Sequence, residues 1–255
     1  MEANFQLPTW VEESLVSARD REIGRGREVL EIILENLEIA RREKIPICQD
    51  TGMGIIFLKI GGEVVWEGDL RDAVEEGVRR AVKEGFLRAS IVEDVLGKRM
   101  NRGDNTPPVI HIEPVEGDIF EIKVMVKGFG SENSTFLHLL SPHAGWKGVR
   151  EVVVQDVREK GINTCPPLFI GIGVGGTAEK CVELSKLALM DSSPMNERER
   201  EILEEVNRLG IGAGGLGGIN TALRVKVREF PTHIAGLPVG VSLNCHALRI
   251  AEGEV

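Results

Sequence analysis

The chain has 255 residues, 42% of them hydrophobic, a formal net charge of −9, and four cysteines at Cys48, Cys165, Cys181 and Cys245. That length supports a real core without staples, and the scattered cysteines are not the framework of a small secreted domain. The acidic balance argues against nonspecific nucleic-acid binding, no apolar run reaches the roughly 18 residues of a membrane span, and residues 1–20 lack a secretion signal, so a cytoplasmic protein with no nucleic-acid or membrane partner is expected.

Residues 10–43 read as helix, because Val29, Leu30, Ile33, Leu37 and Ala40 recur at three- and four-residue spacing. Pro46 discourages its continuation. The run Ile47-Cys48-Gln49-Asp50-Thr51-Gly52 then sets a thiol, an amide, a carboxyl and a hydroxyl in one loop before a strand at 54–60. Taken alone, Cys48 is equally readable as an ordinary core cysteine. A helix over 70–84 follows, carrying Leu70, Val74, Val78 and Val82, and a second helix is expected around 92–96. Between them Arg88 reads, by itself, as a solvated charge. Turn formers fill 101–108 before a strand at 109–115, and Gly117-Asp118 leads into another apolar run, so 109–127 is expected to be a hairpin with His111 in a structural position. Lys127-Gly128-Phe129-Gly130-Ser131 closes that hairpin, and Glu132 to Thr135 offer capping side chains for a helix at 136–140. Backbone amides at such a turn are able to meet an anion, although an ordinary strand-to-helix turn explains the pattern equally well.

Helix 145–160 is amphipathic, with Gly161 suited to its C-terminal cap. Pro166 and Pro167 exclude regular structure around Cys165 and hold it at a loop rim before the strand Leu168–Ile170. Gly171-Ile172-Gly173-Val174-Gly175-Gly176 then spells G-x-G-x-x-G between a strand and a helix, the dinucleotide fingerprint, but Asp191 is not preceded by the second strand that the fingerprint requires. Cys181 shares a helix face with Leu184 and Ala188 and is assigned to packing. A helix at 196–209 capped by Asn196 and Glu199, a glycine-dense connection at 211–219 and a strand at 222–230 follow, and a last apolar run delivers Cys245 and His246. The whole reads as α/β, with mixed sheets and amphipathic helices in a single catalytic unit spanning 1–255. Two lobes are compatible with it, with no boundary placed.

Three cysteines in turn-rich contexts admit zinc, an iron–sulfur cluster, or no common site. Zinc is weakened by the lack of a C-x-x-C pair, though His246 beside Cys245 keeps it open. Electron carriers of the ferredoxin type supply four thiolates, whereas three suit a cubane that leaves one iron open as a Lewis acid.

The runs ICQDTG (47–52), LRAS (87–90), RGDNTPPVIH (102–111), KGFGSENSTF (127–136), CPPLFIGIGVGGTAEKC (165–181) and THIAGLPVGVSLNCH (232–246) together resemble the class I, iron–sulfur fumarases. The length resembles the alpha subunit of the two-chain form, a family shared with L(+)-tartrate dehydratase. The resemblance implies the N-terminal-domain fold of that family and a hydro-lyase interconverting fumarate and malate, with tartrate as the alternative substrate. It implies a [4Fe-4S] cluster on Cys48, Cys165 and Cys245, substrate contacts from Gln49, Arg88, Gly128, Gly130 and His233, and a proton-handling Asp50. The single-chain members carry a further domain that this sequence lacks, so a separate beta subunit and a hetero-oligomer are expected. A nicotinamide oxidoreductase and a structural zinc or interaction subunit are the rivals from other classes.

Overall fold

The computed structural model describes residues 1–254. In chain order the elements are α1 (Thr9–Arg21), α2 (Gly24–Glu43), β1 (Met53–Gly61), α3 (Leu70–Glu84), β2 (Val109–Val115), β3 (Phe120–Lys127), the one-turn α4 (Phe129–Glu132), β4 (Thr135–Leu140), α5 (Gly145–Lys160), β5 (Leu168–Gly175), α6 (Ala178–Leu189), α7 (Glu197–Asn207), β6 (Ala222–Phe230), β7 (Leu237–Asn244) and β8 (Arg249–Glu254). They form two compact units, the first made of residues 1–8, 35–129 and 247 onward, the second of 9–34 and 130–246. The mixed α/β class expected from the sequence is the observed one.

The first unit holds a four-stranded sheet in the order β2-β1-β3-β8, with β1 parallel to β2 and antiparallel to β3. The hairpin expected over 109–127 is therefore not formed, since β1 lies between its two arms. Composition explains the insertion: residues 55–58 and Ile60 of β1 are all buried, so the most apolar strand takes an interior place. β2 carries Pro114, which has no N–H to give a second neighbour, and sits at the edge. His111 stacks on Phe57 at 4.9 Å, as a structural residue does.

Four local expectations also change. No helix forms at 92–96, because the Asp94 carboxylate accepts from the amides of Gly97 and Lys98 and closes a turn instead. Residues 135–140 form strand β4, not a helix, paired with β7 from Thr135↔Ser242 to Leu140↔Leu237. Six residues ahead of Pro142 give a helix little length, whereas pairing satisfies every second carbonyl at once. The long N-terminal helix breaks after Arg21, where the buried Glu22 carboxylate accepts from the amides of Ile23, Ile219 and Asn220 and organises the glycine-dense loop. Strand β8 was not anticipated.

The second unit orders its sheet β4-β7-β5-β6, with β5 parallel to β6 and antiparallel to β7. Its core joins Val149, Val153 and Val157 of α5 to Ile170, Ile172, Val225 and Val241 of the sheet and Ile202 of α7. The glycines of the supposed fingerprint lie inside this layer. A Cβ at Gly171 would run into the Ser185 carbonyl, and one at Gly173 or Gly240 into the Cys181 carbonyl, so α6 rests directly on strand backbone. Gly171 and Gly173 are mid-strand positions with helix against them, and the dinucleotide reading loses its phosphate loop.

Two predictions follow from this packing. Gly173→Val should lower stability by about 3 kcal/mol or more in urea titration, since the clash is with backbone and neither element can shift alone. In α5, burial pushes the Asp156 carboxyl up to about 6 against the opposing pull of His138, whose Nε2 lies 2.9 Å from Oδ2. Folding therefore retains a proton that the unfolded chain loses near pH 4, and stability should fall as pH rises from about 4 through 6. Asp156→Asn should flatten that slope in thermal melts taken across the same pH interval.

Candidate active site

In each unit the antiparallel strand pairs bring the chemistry-bearing loops to one end of the sheet. In the first unit β1 begins at Met53, opposite Lys127 at the end of β3, and Arg249 at the start of β8 is opposite Val126. The Cys48 loop, Gly128 and Arg249 consequently meet. Ile47 is fixed by its amide donating to the Asn4 carbonyl at 2.8 Å and by Asn36 Nδ2 donating to its own carbonyl at 3.0 Å. Gly52, at φ +68, turns so close under β3 that a Cβ would lie 2.5 Å from the Lys127 carbonyl oxygen. Its amide donates to Asp50 Oδ1 at 3.1 Å. The other carboxylate oxygen faces Gly128, where a Cβ would stand 2.9 Å from Asp50 Oδ2 and 3.2 Å from Arg249 Nη2. Gly128 is thus packed against the Asp50 carboxylate with no room for a side chain, while Cys48 and Gln49 are exposed.

Arg88 joins this group through its backbone. Its carbonyl accepts from Thr51 Oγ1 at 2.5 Å and from Asn105 Nδ2 at 3.0 Å, and Asn105 Oδ1 in turn accepts from the amides of Ser90 and Ile91. The Asp50 loop and the Arg88 loop are therefore tied together, with the Arg88 side chain exposed.

In the second unit Phe169 near the start of β5 is opposite Asn244 at the end of β7, which places Cys165 and Cys245 at the same end of the sheet. The His246 ring Nδ1 lies 3.3 Å from the Cys165 carbonyl and joins the two loops. The 131–134 turn, next to Gly130, meets both: Ser131 Oγ donates to Asn244 Oδ1 at 3.4 Å, and Thr164 Oγ1 donates to Ser134 Oγ at 2.7 Å. Asn244 Nδ2 donates to the Cys245 carbonyl at 2.9 Å. Cys165 itself holds a left-handed conformation, φ 53° and ψ 68°. All four cysteines are reduced; Cys48 and Cys165 are exposed, Cys245 is half-buried, and Cys181 is buried in α6, its thiol pKa raised by that burial.

His233 stands apart from this pair. It follows β6 and precedes β7, in the turn where Thr232 Oγ1 donates to the Gly176 carbonyl at the far end of β5. The eight residues of β7 separate it from Cys245 by roughly 23 Å of strand. Its Nδ1 accepts from the Ala235 amide at 3.2 Å, which leaves Nε2 as the outward ring nitrogen.

Sequence reasoning missed Lys127, Arg249 and Asn105. Lys127 is the largest wholly buried side chain, and the alternation of β3 places it on the face of Met125, a signal legible in the pattern. Arg249 is buried in the unanticipated β8, donating from Nη1 to Asn4 Oδ1 at 2.9 Å. Asn105, with φ 55°, is the kind of residue that tolerates a left-handed turn while its amide serves both neighbours. Among the described residues no three His, Cys, Asp or Glu side chains are grouped so as to hold a single metal ion.

A family model described as fumarate hydratase (fumerase) matches residues 1–254. A Methanocaldococcus jannaschii protein, provisionally named L(+)-tartrate dehydratase subunit alpha, is 38% identical, covering 98% of this chain and 92% of its own length. The L(+)-tartrate dehydratase subunit alpha of Escherichia coli K12 is 28% identical, over 96% of this chain and 84% of its own. The anaerobic class I fumarate hydratase of the same strain is 33% identical over 87% of this chain, which spans only 43% of that longer relative. The fold and the full-length match define a hydro-lyase. The chain belongs to the fumarate hydratase (fumerase) family.

Asn105→Gly tests the tie between the two loops, because glycine keeps the left-handed backbone and deletes only the amide. Loss of these buried hydrogen bonds should cost about 1–3 kcal/mol and speed amide exchange at Ser90 and Ile91. Unchanged exchange would show that Asn105 does not hold the Arg88 loop.

Proposed function

We propose that this chain is the alpha subunit of an iron–sulfur hydro-lyase that hydrates fumarate reversibly to malate, completed by a separate beta subunit. The observation that carries the reading is the sorting of the four cysteines. Cys48, Cys165 and Cys245 sit in loops at strand ends, reduced and at least partly accessible, while Cys181 is enclosed by packing. Three available thiols fit the donor set of a [4Fe-4S] cluster with one open iron. When bound, such a cluster supplies a Lewis acid for a substrate hydroxyl and carboxylate.

The remaining roles belong to the protein's own groups. The exposed Arg88 guanidinium offers a substrate carboxylate two parallel donors, and the Gln49 amide orients it. The Asp50 carboxylate, held at Oδ1 by the Gly52 amide and next to Gly128, is assigned the proton that accompanies the hydroxyl. The backbone around Gly128 and Gly130, lacking side chains, lets substrate lie close. Developing negative charge next to the carboxylate is stabilised by the Arg88 guanidinium. His233 keeps the substrate contact that its place in the THIAGLPVGVSLNCH run implies. Among the described residues no helix is long and apolar enough to cross a membrane.

L(+)-tartrate dehydration is the second reading, favoured by the relatives of matching length that carry that name. Serine replacements separate the ligands: Cys48→Ser, Cys165→Ser and Cys245→Ser should each abolish stable iron and acid-labile sulfide after anaerobic reconstitution, while Cys181→Ser retains them. Equal loss in all four would overturn the ligand set. With the beta subunit added, initial rates on fumarate and L(+)-tartrate then decide the substrate.

A further inference from the structure

The two units pack their helices against their sheets in opposite ways. In the second, α6 touches strand backbone through glycine. In the first, α3 packs on its sheet through Leu70, Val74 and Val78 and still leaves a cavity of about 460 Å³, within the range of small-molecule sites. One wall is the apolar face of α3, with Leu70, Val74 and Val78; the other is the sheet face with Ile56, Ile122 and Val124. Ile56, Leu58 and Ile60 of β1 and Val82 of α3 are buried, while Leu70, Val74, Val78, Ile122 and Val124 around them are half-buried. A Cβ built on Gly77 meets nothing within 4 Å.

The ends of the cavity define its chemistry. At one end are Thr51, Leu87 and Asn105, and both polar side chains there are already engaged with the Arg88 loop. At the other are Trp66, Glu67 and Asp69, the last capping α3 through the Asp72 amide. Glu67 and Asp69 are the charged side chains of the wall, so an anionic head group is disfavoured at that mouth. Burial also lowers the pKa of the Met1 amino group, the one basic group on the lining.

We propose that the cavity beneath α3, which adjoins the Thr51–Asn105 tie beneath the candidate site, is a binding site for an uncharged, elongated apolar small molecule other than the dicarboxylate. The neutral dye N-phenyl-1-naphthylamine, titrated into the full chain, tests this by fluorescence, with 1-dodecanol and laurate as competitors. Saturable enhancement, displacement by 1-dodecanol at concentrations at least tenfold below those of laurate, and at least tenfold weaker dye binding in Val74→Phe are expected. Gly77→Leu serves as the second variant, since leucine strengthens the helix while entering the same space. It should weaken binding in the same direction without lowering the melting temperature. No saturable binding by the wild-type chain, equal competition by laurate, or unchanged binding in a folded variant would each overturn the proposal. None of these readouts depends on iron or turnover, so the cavity and the hydro-lyase reading stand or fall separately.

Discussion

The approach of α6 to the backbone of β5 and β7 is the contact on which the second unit depends. It is possible only because Gly171, Gly173 and Gly240 have no Cβ, and it fixes two antiparallel strands beneath one helix. Once β5 and β7 are paired in that register, the segment before the first and the segment after the second must emerge at the same end. Cys165 and Cys245 are eighty residues apart in sequence and neighbours in fold for that reason. The same geometry carries His233 to the other end.

The first unit obeys the same rule with different contacts. Antiparallel pairing of β1, β3 and β8 collects Asp50, Gly128 and Arg249, and the Arg88 carbonyl, gathering hydroxyl and amide donors, fastens the next loop to them. The side chains of Gln49 and Arg88, proposed to meet substrate, are left exposed while the loops that carry them are held by buried Thr51 and Asn105. Rigid backbone beneath a presented side chain is what a binding site for a small charged substrate needs.

Much of this was legible in the sequence. Helices α3 and α5 and strands β1, β5 and β6 follow from apolar periodicity and from Pro and Gly at their borders. The order of strands did not follow, because pairing across long separations depends on which strand is most apolar, and a glycine turn between two strands looks like a hairpin whether or not a third strand enters. The GIGVGG run is ambiguous in a related way: glycine that lets a phosphate approach and glycine that lets a helix approach have the same letters, and only the missing second strand before Asp191 spoke against the first. The loop cysteines were found by their turn-rich surroundings, and Cys181 was set aside by helix spacing. Lys127 and Arg249 were missed because charged residues inside strands read as edges or surface until their burial is seen.

The central claim is that three cysteines of this chain hold a four-iron cluster with one iron left open. Mössbauer spectroscopy of the chain reconstituted anaerobically with iron-57 tests it most directly. The account predicts that one iron in four gives a doublet distinct from the other three. Four equivalent irons, or isolated iron without the signature of a sulfide-bridged cluster, would contradict it.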